Sequence, residues 1–436
     1  MTHLRIRFRR GIHPDRILRA AACLFVAGAC AVVARGQQPP TVRVDLQRAI
    51  QLALAHNHAL QAIRTQVPQS KAQEVTASLR PNPILTWNDF FLPFFSPSQL
   101  NGDYINNASE FDVLFGYTFE RGRKRKWRVQ NARDNTAVVQ SQVQDSERAL
   151  TFNVAQQFIN VLLAESSLSF AQQNLASFQQ TLGVSQERYQ KGAISEGDLL
   201  KVRLQGLQFQ QDVSSAKLAR QQALDSLRDL LGYESVPHDY DVAGNLDYTP
   251  IQGSVEDFEA KALDLRPDLR AANQAVVAAK SNYMLARANG KRDLTFTSGY
   301  SHVAAANDAS FSVNMEIPLF NRNQGEIART HAAITQSQEA KTATQQAVMT
   351  DVAAAYEAVK TGERIIQLYQ SGYLKDSKDS LDISRYAYQR GAASLLDFLD
   401  AERSYRSTEL TYRGTLAAYM LAVEQLHEAV GERPQP

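Results

Sequence analysis

Four short runs of the chain alternate apolar and polar residues with a period of two. Phe111, Val113, Phe115, Tyr117 and Phe119 alternate with Asp112, Leu114, Gly116, Thr118 and Glu120. In the second half Phe311, Val313, Met315 and Ile317 alternate with Ser312, Asn314 and Glu316. Each run follows another: Ile84 to Leu92, and Leu294, Phe296, Ser298 and Tyr300 set against Thr295, Thr297, Gly299 and Ser301. This pattern predicts strands with one apolar and one polar face, because successive side chains of a strand point to opposite sides. The predicted strands cover about 84–92, 110–120, 293–303 and 310–319, and loops at 93–107 and 304–309 close them into two hairpins.

Beyond each hairpin the period changes. Val154, Phe158, Val161, Glu165, Leu168, Gln172 and Leu175 advance in steps of four and three, the seam along which long helices pack. The series returns 198 residues later as Val352, Tyr356, Val359, Glu363, Ile366, Gln370 and Tyr373. Two unrelated amphipathic helices would not place Glu and Gln at matching points of both seams. The match runs on into Tyr189-Gln190-Lys191-Gly192-Ala193 and Tyr388-Gln389-Arg390-Gly391-Ala392, now offset by 199. The chain is therefore an internal duplication, each half reading helix, hairpin, helix, turn, helix. No proline falls between Pro97 and Pro237 or between Pro318 and Pro434. Long helices fit those gaps, since an interior proline costs about 3 kcal/mol. Arg123 to Tyr189 alone would make a rod of roughly 100 Å.

Charge changes the picture at the N-terminus. The 436 residues carry a formal net charge of +2, but residues 1–36 hold seven Arg and a single acid, Asp15. Without them 40 basic and 44 acidic residues remain, a net of −4. Arg5 to Arg19 precede an apolar run from Ala20 to Ala34, too short to span a bilayer as a helix. With Ala34-Arg35-Gly36 ahead of Gln37, residues 1–36 read as a signal peptide. Cys30, after Val26-Ala27-Gly28-Ala29, offers a lipidation site as the weaker alternative. Cys23 and Cys30 are the only cysteines, so removal of this segment would leave no thiol for disulfides, metal binding or catalysis. The remainder divides into a first repeat at 37–249, a second at 250–431 and a tail at 432–436.

An exported rod with a two-hairpin sheet at one end points to a membrane barrel. Four strands cannot close one, and open edges in lipid would leave backbone N–H and C=O groups unpaired at several kcal/mol each. Other copies of the chain must complete the sheet.

The duplicated repeat with its Tyr-x-x-Gly turns resembles the TolC-type outer-membrane efflux family over residues 41–430. So do Asp45-Leu46-Gln47-Arg48-Ala49, Arg80-Pro81-Asn82-Pro83 and Arg266-Pro267-Asp268-Leu269. The resemblance implies a mainly α fold with a transmembrane β part. Four strands per chain of a homotrimer would make a twelve-stranded barrel, continued by a long periplasmic α-helical barrel. It implies a passive exit duct in the outer membrane, partnered by a periplasmic adaptor and an inner-membrane pump, the resistance-nodulation-division type being one candidate. Asp397 and Asp400, in Gly391-Ala392-Ala393-Ser394-Leu395-Leu396-Asp397-Phe398-Leu399-Asp400, match the family's acidic rings at the periplasmic entrance. Spaced i, i+3 they share a helix face, and threefold repetition would crowd carboxylates round one aperture, attracting cations. The bland reading is a solvated face with Glu402 and Arg403 in ordinary pairing. In the first repeat Asp198 matches, but Lys201 replaces the second acid. The family's first-repeat aspartate pairs with a tyrosine and an arginine; Tyr388 matches the tyrosine, whereas Ala393 stands where the arginine would be.

One charge cluster stands out: Arg121, then Arg123, Lys124, Arg125, Lys126, Trp127 and Arg128. Just after a barrel strand, these cations and the indole suit the outer-membrane lipids of the periplasmic interface, not nucleic acid. No Gly-x-Ser-x-Gly, P-loop or Gly-x-Gly-x-x-Gly occurs, and His56 and His58 point apart on a helix. The sequence predicts no enzyme, cofactor or metal site. A periplasmic coiled-coil adaptor is the alternative; it would need an all-β or lipoyl-like domain, for which 236–254 is too short.

Overall fold

A computed structural model of the protein describes residues 42–432. The predicted signal peptide, Cys30 and most of the predicted tail lie outside the described residues. The chain opens with β1 (Arg43–Val44), α1 (Leu46–His56), α2 (His58–Arg64) and α3 (Gln66–Ser78). The first hairpin is β2 (Ile84–Phe90) and β3 (Glu110–Phe119), with α4 (Gly102–Asn107) in the loop between them. Then come α5 (Lys124–Gln190), α6 (Glu196–Leu231) and β4 (Asp241–Val242). The second half supplies α7 (Val255–Leu265), α8 (Pro267–Asn289), β5 (Leu294–Val303), β6 (Ala306–Asn314) and α9 (Gln324–Leu368). A π turn at Tyr369–Tyr373 leads into α10 (Leu374–Arg390), and α11 (Leu395–Val430) closes the chain.

The long first-repeat helix spans 67 residues without a break. Its seam carries the core: Val154, Phe158, Val161 and Leu162 pack with Leu224, Leu227 and Leu231 of α6 and with Val44 and Val242. The last two belong to a short parallel pair in which Arg43 faces Asp241 and Val44 faces Val242. The second seam builds an equivalent core from Val352, Val359 and Ile366 with Tyr419 and Leu426 of α11. At the far tip Phe178, Val202 and Phe209 of the first repeat join Leu381, Tyr388, Leu395 and Phe398 of the second. The repeats thus build separate cores at mid-length, bridged by contacts such as Arg413 to Ser166 and Phe170 to Tyr405, and share one core at the tip.

The strands form one antiparallel sheet in the order β2-β3-β5-β6, which leaves β2 and β6 as free edges. Register sorts its faces. Trp87 faces Val113 and Phe111 faces His302, with Phe115, Tyr117, Phe296, Phe311 and Val313 on the same side. Thr86, Asn88, Asp112, Thr118, Thr297, Ser301, Ser310 and Ser312 occupy the other. Lipid outside and water inside require such a division. Two strands differ from the sequence expectation. The last runs 306–314 instead of 310–319, because Val303 already pairs with Ala306 and no partner lies beyond Thr295 opposite Asn314. The first stops at Phe90 because Phe91 adopts a left-handed φ of 60°.

Candidate functional site

The two turns at the helical tip place the residues singled out in the sequence. In the second, Gly391 ends α10 with a φ of 80°, a conformation costly for any residue with a Cβ. Ser394 then caps α11: its Oγ accepts the Asp397 amide at 3.2 Å and donates to Asp397 Oδ2 at 2.7 Å, and the Ser394 amide donates to the same oxygen at 3.2 Å. Asp397 therefore completes a capping box, satisfying donors that a helix start leaves open. One turn on, Asp400 accepts from Arg403 at 2.5 Å, and its side chain is 64% exposed. In the first repeat Ser195 caps α6, with Asp198 Oδ2 accepting from its hydroxyl at 2.9 Å and Asp198 Oδ1 ion-paired with Lys201 at 3.6 Å.

Tyr388 is only 2% exposed. Its hydroxyl lies 3.1 Å from Ser185 Oγ, and its ring stacks on Phe398 at 5.4 Å. Arg188 covers the other contacts: its guanidinium sits 5.1 Å from the ring centroid and donates to the Tyr388 carbonyl at 2.5 Å. Within one chain Asp198 and Tyr388 are thus held by different partners, and the structure does not bring them together. Arg188 was missed in the sequence, although it directly precedes Tyr189 of the repeated turn. It supplies a cation from the first repeat to a tyrosine of the second.

Glu402 does not lie on a solvated face with Arg403. It is buried at 6% exposure, and Arg403 pairs with Asp400 instead. Burial pushes the Glu402 carboxyl up to about 7, aided by Asp212 and opposed by Arg406 and Arg385. Arg406 is itself ion-paired with Asp212 of α6, which ties the two hairpins just above the tip.

At the opposite end of α5 the basic cluster divides. Lys124 pairs with Asp293 at 2.8 Å. Arg125 donates to the Ser78 carbonyl at 2.5 Å, and Arg128 to Ala77 at 2.9 Å, to Leu79 at 2.8 Å and to Glu120 at 2.7 Å. These side chains satisfy the free carbonyls ending α3, where cations are also favoured by the helix dipole. Arg123 and Lys126 are exposed, and Lys126 Nζ lies 5.4 Å from the half-buried Trp127 ring. Among the described residues no helix is long and apolar enough to cross a membrane, and no cluster of His, Cys, Asp and Glu could hold a metal.

Two helical hairpins fused at a polar tip, carrying a four-stranded sheet with free edges and one apolar face, define the subunit of a membrane duct. The chain belongs to the outer membrane efflux protein family, whose sequence model matches residues 49–233 and 260–432. It is 22% identical over 390 residues to the cobalt-zinc-cadmium resistance protein CzcC of Cupriavidus metallidurans, covering 89% of this chain and 90% of that one. The pyoverdine export outer membrane protein OpmQ of Pseudomonas putida is 26% identical over 413 residues, 89% and 86% of the two chains. A crystal structure of CusC, described in relation to transmembrane channel formation, superposes with a TM-score of 0.73 at 25% identity over 92% of this chain and 96% of that one. The protein is an outer-membrane channel of a tripartite efflux system, with a large periplasmic portion. Family members are trimeric channels that work with an adaptor and an inner-membrane pump.

Proposed function

We propose that three copies of this chain form a passive, non-enzymatic duct whose periplasmic entrance is lined by Asp400, with Asp397 beside it. The observation that carries this reading is the sheet with two free edges and one apolar face, which only further copies can close in a membrane. Asp400 is exposed at the tip and paired only with the still more exposed Arg403, so it is free to face an aperture. Asp397 contributes charge but also holds the cap of α11. Asp198 and Tyr388 act in the same assembly as tip contacts, the first on its own cap, the second as the joint between repeats. At the membrane end Arg123, Lys126 and Trp127 meet lipid headgroups, while Lys124, Arg125 and Arg128 hold the helix–strand junction. The cargo follows the pump: among its relatives one is named for cobalt, zinc and cadmium and another for pyoverdine.

Conductance of the purified trimer in planar bilayers tests the entrance. Millimolar divalent cations should lower the current of the wild type, and Asp400→Ala should abolish most of that block. Asp397→Ala should weaken it less and lower thermal stability. A block that survives both substitutions would move the entrance elsewhere.

A further inference from the structure

The end of the sheet farthest from the long helices carries an apolar loop. Between β2 and β3 the chain departs at Phe91 and returns at Ser109, and from Phe90 to Gly102 it contains no charged residue. Phe91, Leu92, Phe94, Phe95 and Leu100 are all exposed, Phe94 at 77% and Phe95 fully. Five large apolar side chains held in water are unfavourable, and a patch of this kind marks a contact surface.

The segment is built, not slack. The Tyr104 hydroxyl donates to the carbonyl of Phe91, whose backbone is left-handed. Asn101 caps α4 by accepting the Tyr104 amide at 2.9 Å, and the Ser109 carbonyl accepts the Ala304 amide at 3.1 Å. The decisive contact is His302. Its Nε2 donates to the Ile105 carbonyl at 2.9 Å, its Nδ1 lies 3.0 Å from Asn307 Oδ1, and its ring stacks on Phe111 at 5.1 Å. Register puts His302, Phe111, Tyr300 and Trp87 on the apolar face of the sheet. The bond to Ile105 therefore holds α4 on the lipid side of the barrel wall, and the Tyr104 hydroxyl ties Phe91 of the segment to it. The same bond draws α4 toward β5, the middle of the chain's own sheet, and away from the free edge of β2 where another copy joins.

We propose that residues 91–100 form an aromatic collar seated in the outer leaflet, with Phe91, Phe94 and Phe95 at the boundary of headgroups and acyl chains and His302 as its anchor. Large aromatic rings favour that depth. The proposal rests on the apolar face of the sheet meeting lipid, which the experiment reads separately.

A nitroxide is placed at Phe95→Cys, at Phe311→Cys on the apolar face and at Ser312→Cys on the polar face, with Cys23 and Cys30 replaced by alanine. The full trimer is reconstituted in phosphatidylethanolamine–phosphatidylglycerol vesicles, and collisions with oxygen and with a water-soluble nickel chelate are measured. Position 95 should resemble 311, with an oxygen-to-nickel ratio several-fold above that at 312. Adding His302→Ala should raise nickel access at 95 several-fold while leaving 311 unchanged. Nickel access at 95 equal to that at 312 would place the collar in water and overturn the proposal. Shielding of 95 from both reagents would place it against protein, in the lumen or on another copy, and overturn it equally. A nickel-accessible 311 would overturn the lipid-facing sheet and the collar with it.

Discussion

The two repeats carry the same seam, yet only one of their long helices is unbroken. From Lys124 to Gln190 the first runs as regular α-helix, whereas the second is interrupted at Tyr369–Tyr373 by a π turn in which Gly372 has φ 147°. The offset between the repeats is 198 along the seams and 199 at the turns, so one extra residue has entered the second helix between them. A π turn absorbs one residue and lets the α-helix resume in phase. That is why Leu381 and Tyr388 still meet Phe178 and Phe209 of the first repeat at the tip. The repeats also differ in how each buries its seam glutamate. Glu363 accepts from Lys360 at 2.9 Å and from the Ile251 amide at 3.2 Å, with the Tyr419 hydroxyl 3.5 Å away. Glu165 stands among charges instead: burial and Asp241 push its carboxyl up, against Arg220 and Arg43.

The largest effect follows from that second difference. Glu363→Leu leaves the Ile251 amide without its acceptor and Lys360 without its counter-charge, a loss of about 2–3 kcal/mol. Glu165→Gln removes a charge that burial disfavours and should change stability by less than about 0.5 kcal/mol. Hydrogen exchange of α9 and α5 in the two variants measures both; equal losses would make the seams equivalent after all.

Gly372 comes next. Only Asp376 Oδ2, at 4.0 Å, approaches the place its Cβ would take, so Gly372→Ala meets no clash, only the strained φ. The cost is about 1–3 kcal/mol, read as faster exchange in α10. Deleting Gly372 should do the opposite, giving a continuous second helix with Tyr388 in place and slower exchange. A tip that rotates after the deletion, losing the Arg188 contact, would show that the extra residue lies elsewhere.

The third effect belongs to the second repeat alone. With its folded carboxyl near 7 and an ordinary value of 4.5, Glu402 keeps a proton in the folded state that the unfolded chain releases first. Stability should therefore fall as pH rises from 4.5 to 7 and stay low above. Glu402→Gln should flatten this slope. The residue at the matching place in α6 is the exposed Arg203, so Arg203→Gln should leave the slope intact.

Much of this architecture is written in local periodicity. Alternation at 111–119 and steps of four and three at 154–175 are properties of neighbouring residues, and strands and seams follow from them directly. Contacts between distant segments leave no such trace. Glu402 looks solvated beside Arg403 because the charges that act on its buried carboxyl include Arg385 of α10 and Asp212 of α6, both distant in sequence. Arg125 and Arg128 look like a lipid-binding cluster because the carbonyls they cap belong to α3, some 50 residues earlier. The π turn was present in the sequence as the change of offset from 198 to 199, a shift that points to an inserted residue but not to the conformation that accommodates it.

The smallest difference lies in the two caps. Ser195 and Ser394 each accept the amide three residues on, but only in the second turn does the aspartate reach back to the cap backbone, Ser394 N to Asp397 Oδ2 at 3.2 Å. Ser394→Ala and Ser195→Ala each remove two side-chain bonds, and the first also unsettles the reciprocal bond from the residue 394 amide to Asp397. Each loss falls within the ~0.5–2 kcal/mol of an N-cap, with the second repeat the more costly. Asp397→Asn and Asp198→Asn separate capping from charge, since an amide oxygen still accepts but no longer complements the positive helix start. If Asp397→Asn keeps the melting temperature while reducing divalent block, the charge of Asp397 serves the entrance and its geometry serves the helix. If both properties fall together, cap and entrance are one function, and the second turn differs from the first in chemistry as well as in fold.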